Sequence, residues 1–507
     1  MSETPGSTPG RRSFLLAGLG VAGAGVLAAC GGGSGAGRPA LVSPSGAAVG
    51  AADGKRNRTG RTHEVSLVAA PATVELGGGV TAGTWAFAGR TPGEELRVSA
   101  GDLVAATLSN RLPDRTTTSV HWHGIALRND MDGVPPVTQT AVASGQDFTY
   151  RFLADAPGTY FFHPHVGLQL DRGLYAPLIV EDPNEPLSYD DEWVVVLDDW
   201  LDGVAGTPDE VYAELKRGMG AMHGGGMAMK HMLMGAESPL LGGDAGDVRY
   251  PYHLVNGRVP GDPQVLRSAP GRRVRLRLVN AGGDTAYRVA LGGHRMTVTH
   301  TDGFPVRHQE ADALLIGMGE RYDVLVTLGD GVFPLVALAE GKNAVGRALV
   351  RTGSGAAPAA DFRPGELEGA VATGSRQKAA DDVRLPSGKA DRVHRVELTG
   401  GMMAYDWAIN GERFDMDDPA RRPITVAEGQ RVRLDFVNST GMWHPVHLHG
   451  HTYQLGADGP RKDTAIVLPG RTVSVFFDAD NPGRWMLHCH NAYHGEAGMM
   501  ALLAYED

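Results

Sequence analysis

Hydrophobic and polar residues alternate with a period of two in well-separated parts of the chain. Val274, Leu276 and Leu278 interleave with Arg273, Arg275 and Arg277, and Val432, Leu434 and Phe436 with Arg431, Arg433 and Asp435. Successive side chains of an extended strand point to opposite faces, so this pattern predicts half-buried strands. Both runs belong to a longer pattern that occurs three times: Gly101, Val104 and Asn110; Gly271, Val274 and Asn280; Gly429, Val432 and Asn438. The copies are 170 and then 158 residues apart, which is the spacing of whole domains rather than of solenoid units. The economical prediction is all-β, with three β-sandwich domains over residues 60–182, 183–375 and 385–507. The Gly-, Ala- and Pro-rich stretch 353–378 reads as the second linker.

Composition agrees. A chain of 507 residues is too long for one core and suits about three domains, and 71 glycines and 31 prolines suit a turn-rich β fold. A net charge of -11 argues against nucleic acid as a partner and is compatible with a cationic substrate. No internal apolar run is long enough to span a membrane. Arg11-Arg12-Ser13-Phe14-Leu15-Leu16 looks like a twin-arginine export signal, followed by an apolar region at 17–29. Leu27-Ala28-Ala29-Cys30 resembles a lipobox, so residues 1–30 are expected to be a signal peptide. Cys30 would then carry the lipid that anchors the protein on the outer face of the cytoplasmic membrane; ordinary cleavage and secretion is the alternative. Residues 31–59, opening on the Gly-Ser-rich stretch 31–37, are expected to be a flexible tether. The protein is expected to be a monomer.

The candidate chemistry lies in histidines. The chain has 19, and ten fall in four short motifs: His121-Trp122-His123-Gly124 and His163-Pro164-His165 in domain one, His444-Pro445-Val446-His447-Leu448-His449 and His488-Cys489-His490-Asn491-Ala492-Tyr493-His494 in domain three. The middle copy has Ala286-Tyr287-Arg288 where its siblings carry such clusters. Sites confined to the first and last of three similar domains imply metal held between them. In an extended strand His488 and His490 point one way and Cys489 the other. His121 and His123 share a face, as do His447 and His449, whereas His444, an odd number of residues from His447, faces the opposite side. Two groups emerge: His444, Cys489 and His494 with Met499, and eight imidazoles. Cys, two His and a distant thioether form the ligand set of a blue-copper electron-transfer site. Eight neutral imidazoles suit two or three coppers and exceed the needs of one zinc. Each ligand needs a partner on its second ring nitrogen, and the sequence does not identify those partners.

In order and spacing these motifs resemble those of the multicopper oxidases, the laccase and cuprous oxidase family. Gly158-Thr159-Tyr160, Gly173-Leu174-Tyr175-Ala176-Pro177-Leu178 and Lys462-Asp463-Thr464 extend the likeness across residues 60–507, which is closest to three-domain actinobacterial lipoprotein oxidases linked to copper resistance. The resemblance implies cupredoxin-like Greek-key sandwiches and four copper ions. His444, Cys489 and His494, with Met499 axial, would bind the type 1 ion, and His121 and His447 the type 2 ion. His123, His163, His165, His449, His488 and His490 would hold the type 3 pair. It further implies an acid at Asp132 near the cluster and dioxygen as the terminal acceptor, reduced to water by electrons that arrive through Cys489. The acid that often follows the last type 1 histidine is replaced by Gly495, leaving Glu496 as the candidate one position later. Met442 matches a methionine that contacts substrate copper in cuprous oxidases, while the matching acid is Thr440 here.

Six of the 17 methionines fall within residues 219–234: Met219, Met222, Met227, Met229, Met232 and Met234, together with His223 and His231. Thioethers are soft ligands suited to Cu(I), and the glycines among them disfavour a core helix, so a copper-collecting loop is expected. The expected activity is oxidation of Cu(I), and of phenols, coupled to reduction of dioxygen. Three alternatives remain: a copper-sequestering lipoprotein without turnover, a copper nitrite reductase and a zinc hydrolase.

Overall fold

The computed structural model describes residues 39–219 and 229–507. Strands between Thr62 and Glu181 form two four-stranded sheets, those between Asp191 and Ala372 two six-stranded sheets and a two-stranded one, and those between Arg392 and Tyr505 a six- and a five-stranded sheet. The fold is all-β, with three sandwiches of one design. In each, an opening strand runs parallel to the repeat strand: Thr62–Gly77 beside Asp102–Asn110, Asp191–Trp200 beside Arg273–Asn280, and Arg392–Thr399 beside Arg431–Asn438.

The recurring asparagine has one purpose in all three copies. Asn110 donates from Nδ2 to the carbonyls of Thr116 and Val142 and accepts from Leu112 N–H. Asn280 does the same with Thr285, Ile316 and Gly282, and Asn438 with Met442, Val467 and Thr440. One buried amide thus satisfies three backbone groups where the chain leaves the strand, groups that would each cost ~1–3 kcal/mol if left unpaired.

Alternation holds in domain three, where Val432, Leu434 and Phe436 are fully buried. In domain two the polar face is buried as well. Arg275 and Arg277 both reach the Asp323 carboxylate, which also accepts from Thr159 of domain one. This face meets domain one rather than water, and buried charges there must be paired.

Two boundaries differ from expectation. Residues 40–59 are not a tether, because the chain is folded from about residue 40; residues 31–38 lie outside the described residues. Leu41 bridges Glu506, Val42 N–H donates to the Tyr505 carbonyl at 2.9 Å, and the helix Ala47–Gly54 buries Val49. Val42 and Val49 provide apolar surface that a solvated tether would leave exposed, and they bury it against domain three. Within 353–378, Val371–Ala372 pairs with the strand Ala313–Ile316 and Leu367 is buried, so the later part of that stretch belongs to domain two.

Val49→Ala removes two buried methyl-sized groups, about 1.5 kcal/mol at ~0.8 kcal/mol per CH2. The thermal midpoint should fall in calorimetry; an unchanged midpoint would mean that the segment is not docked.

Candidate metal centres

Two strand pairs, one from each end domain, carry the histidines. In domain three, His444–Leu448 runs antiparallel to Arg484–Cys489, so that Val446 faces Cys489 and His447 faces His488. In domain one, His121–His123 runs antiparallel to Gly158–His163, pairing His121 with His163. The two histidine pairs meet ring on ring across the domain seam. His123 stacks on His447 with centroids 3.8 Å apart, and His121 on His449 at 3.7 Å.

Among the described residues, ligand atoms within 4.8 Å of one another define five groups of metal-binding size: His121, Asp132 and His449; His121, His123 and His447; His123, His163 and His490; His165, His449 and His488; and His444, Cys489 and His494. All are buried except His165, which is half-buried. In the last group Cys489 Sγ lies 3.5 Å from His444 Nδ1 and 3.7 Å from His494 Nδ1. Met499 is fully buried in the same core, its carbonyl accepting from Cys489 N–H at 3.0 Å.

Eight of the ten rings are held through one nitrogen, and four of these leave the other nitrogen bare. His121 Nδ1 donates to the Asp132 carbonyl and sits 3.1 Å from its Oδ1, and His449 Nδ1 donates to Asp132 Oδ2 at 3.0 Å. His163 Nδ1 holds the Pro164 carbonyl, His488 Nδ1 the Cys489 carbonyl, and His447 Nδ1 the Asp463 carbonyl. His123 Nε2 meets Asp463 Oδ1 and Thr464 Oγ1. In the cysteine group His444 Nε2 meets Thr440 Oγ1 at 2.8 Å and His494 Nε2 donates to Asp247 Oδ2 at 2.9 Å. Left buried without any hydrogen-bond partner are His121 Nε2, His123 Nδ1, His163 Nε2, His447 Nε2 and both nitrogens of His490. Buried polar atoms are ordinarily satisfied. A cage of unprotonated lone pairs facing inward, all but those of His490 backed by an outer hydrogen bond on the same ring, fits a metal cluster.

The multicopper oxidase family pattern matches this chain in three consecutive parts, residues 69–185, 191–355 and 389–507. A multicopper oxidase of Mycobacterium tuberculosis, MmcO, is 49% identical over 98% of this chain and 96% of its own. The chain belongs to the multicopper oxidase family. It is therefore a copper-dependent oxidoreductase. A copper resistance protein A homolog of Pseudomonas syringae pv. tomato is 29% identical, covering 83% of this chain and 88% of its own. Among solved structures, a multi-copper oxidase from Pseudomonas thermotolerans is 29% identical with a TM-score of 0.66, covering 88% of this chain and 99% of its own. The laccase of Botrytis aclada is 25% identical with a TM-score of 0.69, covering 89% and 88%.

Other expected site residues fall variously within this multicopper oxidase. Asp132 lies in a turn, its N–H donating to the Asn129 carbonyl, while its carboxylate touches two cage histidines. The turn closes at Gly133, φ +77°, where a Cβ would sit 1.8 Å from the Val120 carbonyl oxygen. Glu496 is exposed and makes no hydrogen bond to a ligand histidine. It lines a cavity of about 510 Å3 that also reaches His163, His165, His488 and His490, and its backbone carbonyl accepts from Tyr212. Met232 and Met442 belong to the core that contains Cys489 and Met499, and Met219 and Met229 pack against it; Met234 is exposed. His231 is buried with Nδ1 on Glu214 and Nε2 on the Ala205 carbonyl, which makes it a structural residue rather than a free ligand. Met222, Met227, His223 and Cys30 lie outside the described residues.

Sequence reasoning missed Asp247, Met402 and the roles of Arg321 and Asp463. Asp247, from domain two, accepts from His494 Nε2, and Asp244 forms a β-bridge with Met442. Met402 packs on the same core, and its carbonyl accepts from Met219 N–H. The only linear signals were Asp244 and Asp247 shortly after the methionine run and a Met402-Met403 pair.

Burial is the first cause that drives eight ligand histidines below their ordinary value: His123, His163, His165, His444, His447, His449, His488 and His490. His488 falls to about 3. His494 runs the other way. Burial alone would lower it, but the Asp247 carboxylate lifts it to about 10. In metal-free protein the eight depressed groups favour folding above the unfolded value of about 6.5, and that contribution is lost as pH falls, at up to about 1.4 kcal/mol per pH unit each. The His494 contribution is complete below that value and is lost as pH rises through about 10. Eight outweigh one, so the melting temperature of copper-free protein should fall steeply from pH 7 to pH 5. A flat profile would mean that the cage is open to water.

Proposed function

We propose that this oxidase binds four copper ions and couples oxidation of Cu(I), with phenols as alternative donors, to reduction of dioxygen to water in copper tolerance. His444, Cys489 and His494, with Met499 axial, would hold the type 1 ion, His121 and His447 the type 2 ion, and the remaining six cage histidines the type 3 pair. Bound copper would supply one-electron uptake at the cysteine site and dioxygen reduction in the cage.

The observation that carries the Cu(I) reading is the surroundings of the cysteine site. Both its histidines are buried, His494 against Trp407 and Tyr405, and the side chains of Met219, Met229, Met232, Met402 and Met442 gather in the same core. A bulky organic donor has no open ring edge to touch, whereas thioethers with Asp244 and Asp247 suit a soft cation. Cys489 is joined to the cage through its two neighbours, and His488 Nδ1 donates to its carbonyl at 2.9 Å. Asp132, held between His121 and His449, is placed to move protons to the cage. Copper binding with turnover also accounts for the intact cage better than sequestration does. The twin-arginine motif and Cys30 support export and lipid anchoring at the cell envelope; Cys30→Ser should release the protein from the membrane fraction, and retention would refute the anchor.

Oxygen uptake by copper-loaded protein tests the donor. Cu(I) should outpace a phenol and a bulky dye, and Met402→Leu with Met442→Leu should slow Cu(I) oxidation by about tenfold, equivalent to ~1.4 kcal/mol of transition-state stabilisation, while sparing the dye. Equal losses would reject the thioether route. Asp132→Asn should slow oxygen uptake by about 100-fold, the lower range for a lost proton-transfer group, with the blue absorbance retained. Unchanged turnover would remove Asp132 from proton delivery.

A further inference from the structure

Domain two carries no cage ligand, yet it reaches the cage. Arg321, at the start of the strand Arg321–Thr327, is fully buried. Its Nη1 and Nη2 donate in parallel to Asp463 Oδ1 and Oδ2, both at 2.7 Å, and its Nε donates to the Thr159 carbonyl of domain one at 3.0 Å. Asp463 in turn accepts from His123 Nε2 at 3.1 Å through Oδ1, and from His447 Nδ1 at 3.0 Å through its backbone carbonyl. Asp302, also of domain two, accepts from the N–H groups of Asp463 and Thr464 and forms an ion pair with Lys462. The middle domain therefore fixes both the backbone and the carboxylate of this residue.

We propose that Arg321 is a positioning residue for the copper cage, acting through Asp463 to hold His123 with its Nδ1 bare. His123 is the exception among its neighbours. His121, His163 and His447 leave Nε2 without a partner, whereas His123 leaves Nδ1. It must therefore carry its proton on the opposite nitrogen, and the group that takes that Nε2–H is Asp463. A carboxylate free to rotate would not aim Oδ1 at one ring; the two-pronged guanidinium contact fixes its plane, which a lysine ammonium cannot do. The approach is close enough to dictate a neighbouring residue. A Cβ on Gly124, φ +87°, would lie 2.3 Å from Arg321 Nη2 and 2.7 Å from Asp463 Oδ2. The glycine that follows His123 is thus the space through which domain two reaches the cage. By contrast, the buried Arg275–Asp323 pair of the same domain touches no ligand histidine, and it supplies the control for a purely structural role.

The inference rests on the four-copper reading. The test compares wild type, Arg321→Lys, Asp463→Asn and Arg275→Lys, each loaded with copper. Copper retained per chain against a chelator, the paramagnetic resonance signal of the type 2 ion and the blue band of the cysteine site are measured. Arg321→Lys and Asp463→Asn should hold cage copper about 10–100-fold more weakly, the usual effect of losing an outer-shell partner, and change the type 2 signal while the blue band stays. Arg275→Lys should keep both. If Arg321→Lys does not fold, Asp463→Asn carries the comparison. Wild-type retention and signals in both cage variants, or parallel loss of the blue band and the cage signal, would overturn the proposal. A wild-type protein that binds copper only at the cysteine site would instead refute the four-copper reading itself.

Discussion

An extended strand cannot place neighbouring side chains on the same face, and the metal centres follow from that constraint. On Arg484–Cys489 and the residues after it, His488 and His490 turn toward domain one while Cys489 turns into the core of domain three. Two unlike environments, a nitrogen cage and a sulfur site, are then separated by only a residue's thickness of backbone. The partner strand His444–Leu448 obeys the same rule, with His444 on the sulfur side and His447 on the cage side.

The cage needs a second wall, and the seam between the end domains provides it through stacked rings. The middle domain acts as a clamp. It supplies Asp247 to the sulfur site, Arg321 and Asp302 to the cage, and Asp284, which accepts from Asn491 and pairs with Lys342.

Much of the fold was legible in the sequence because period-two alternation and a thrice-repeated asparagine are local signals. The histidine motifs were legible for the same reason, since strand parity sorts residues two apart without knowledge of the rest of the chain. The partners of those histidines were not. Asp247 and His494 are far apart in the chain, as are Arg321 and Asp463, and no periodicity connects them; only tertiary packing does. The docking of residues 40–59 was hidden differently. A short segment with few apolar residues looks like a tether until its partners, at the far C-terminus, are known. The methionine run could be read as soft-ligand chemistry, but its meeting with Met402 and Met442 depends on how domains two and three face each other.

The division of the cage between residues 121–165 and 447–490 also bears on assembly. Neither end domain alone presents the complete cage, and the carboxylate that meets His123 is itself held from the middle domain. Contacts of such long sequence separation form late, and metal affinity that depends on a finished fold is itself part of folding free energy. Retention of copper in the cage would therefore be a proofreading step on the tertiary structure: a chain whose end domains have docked wrongly keeps the sulfur site, which lies wholly within domain three, but has no complete cage.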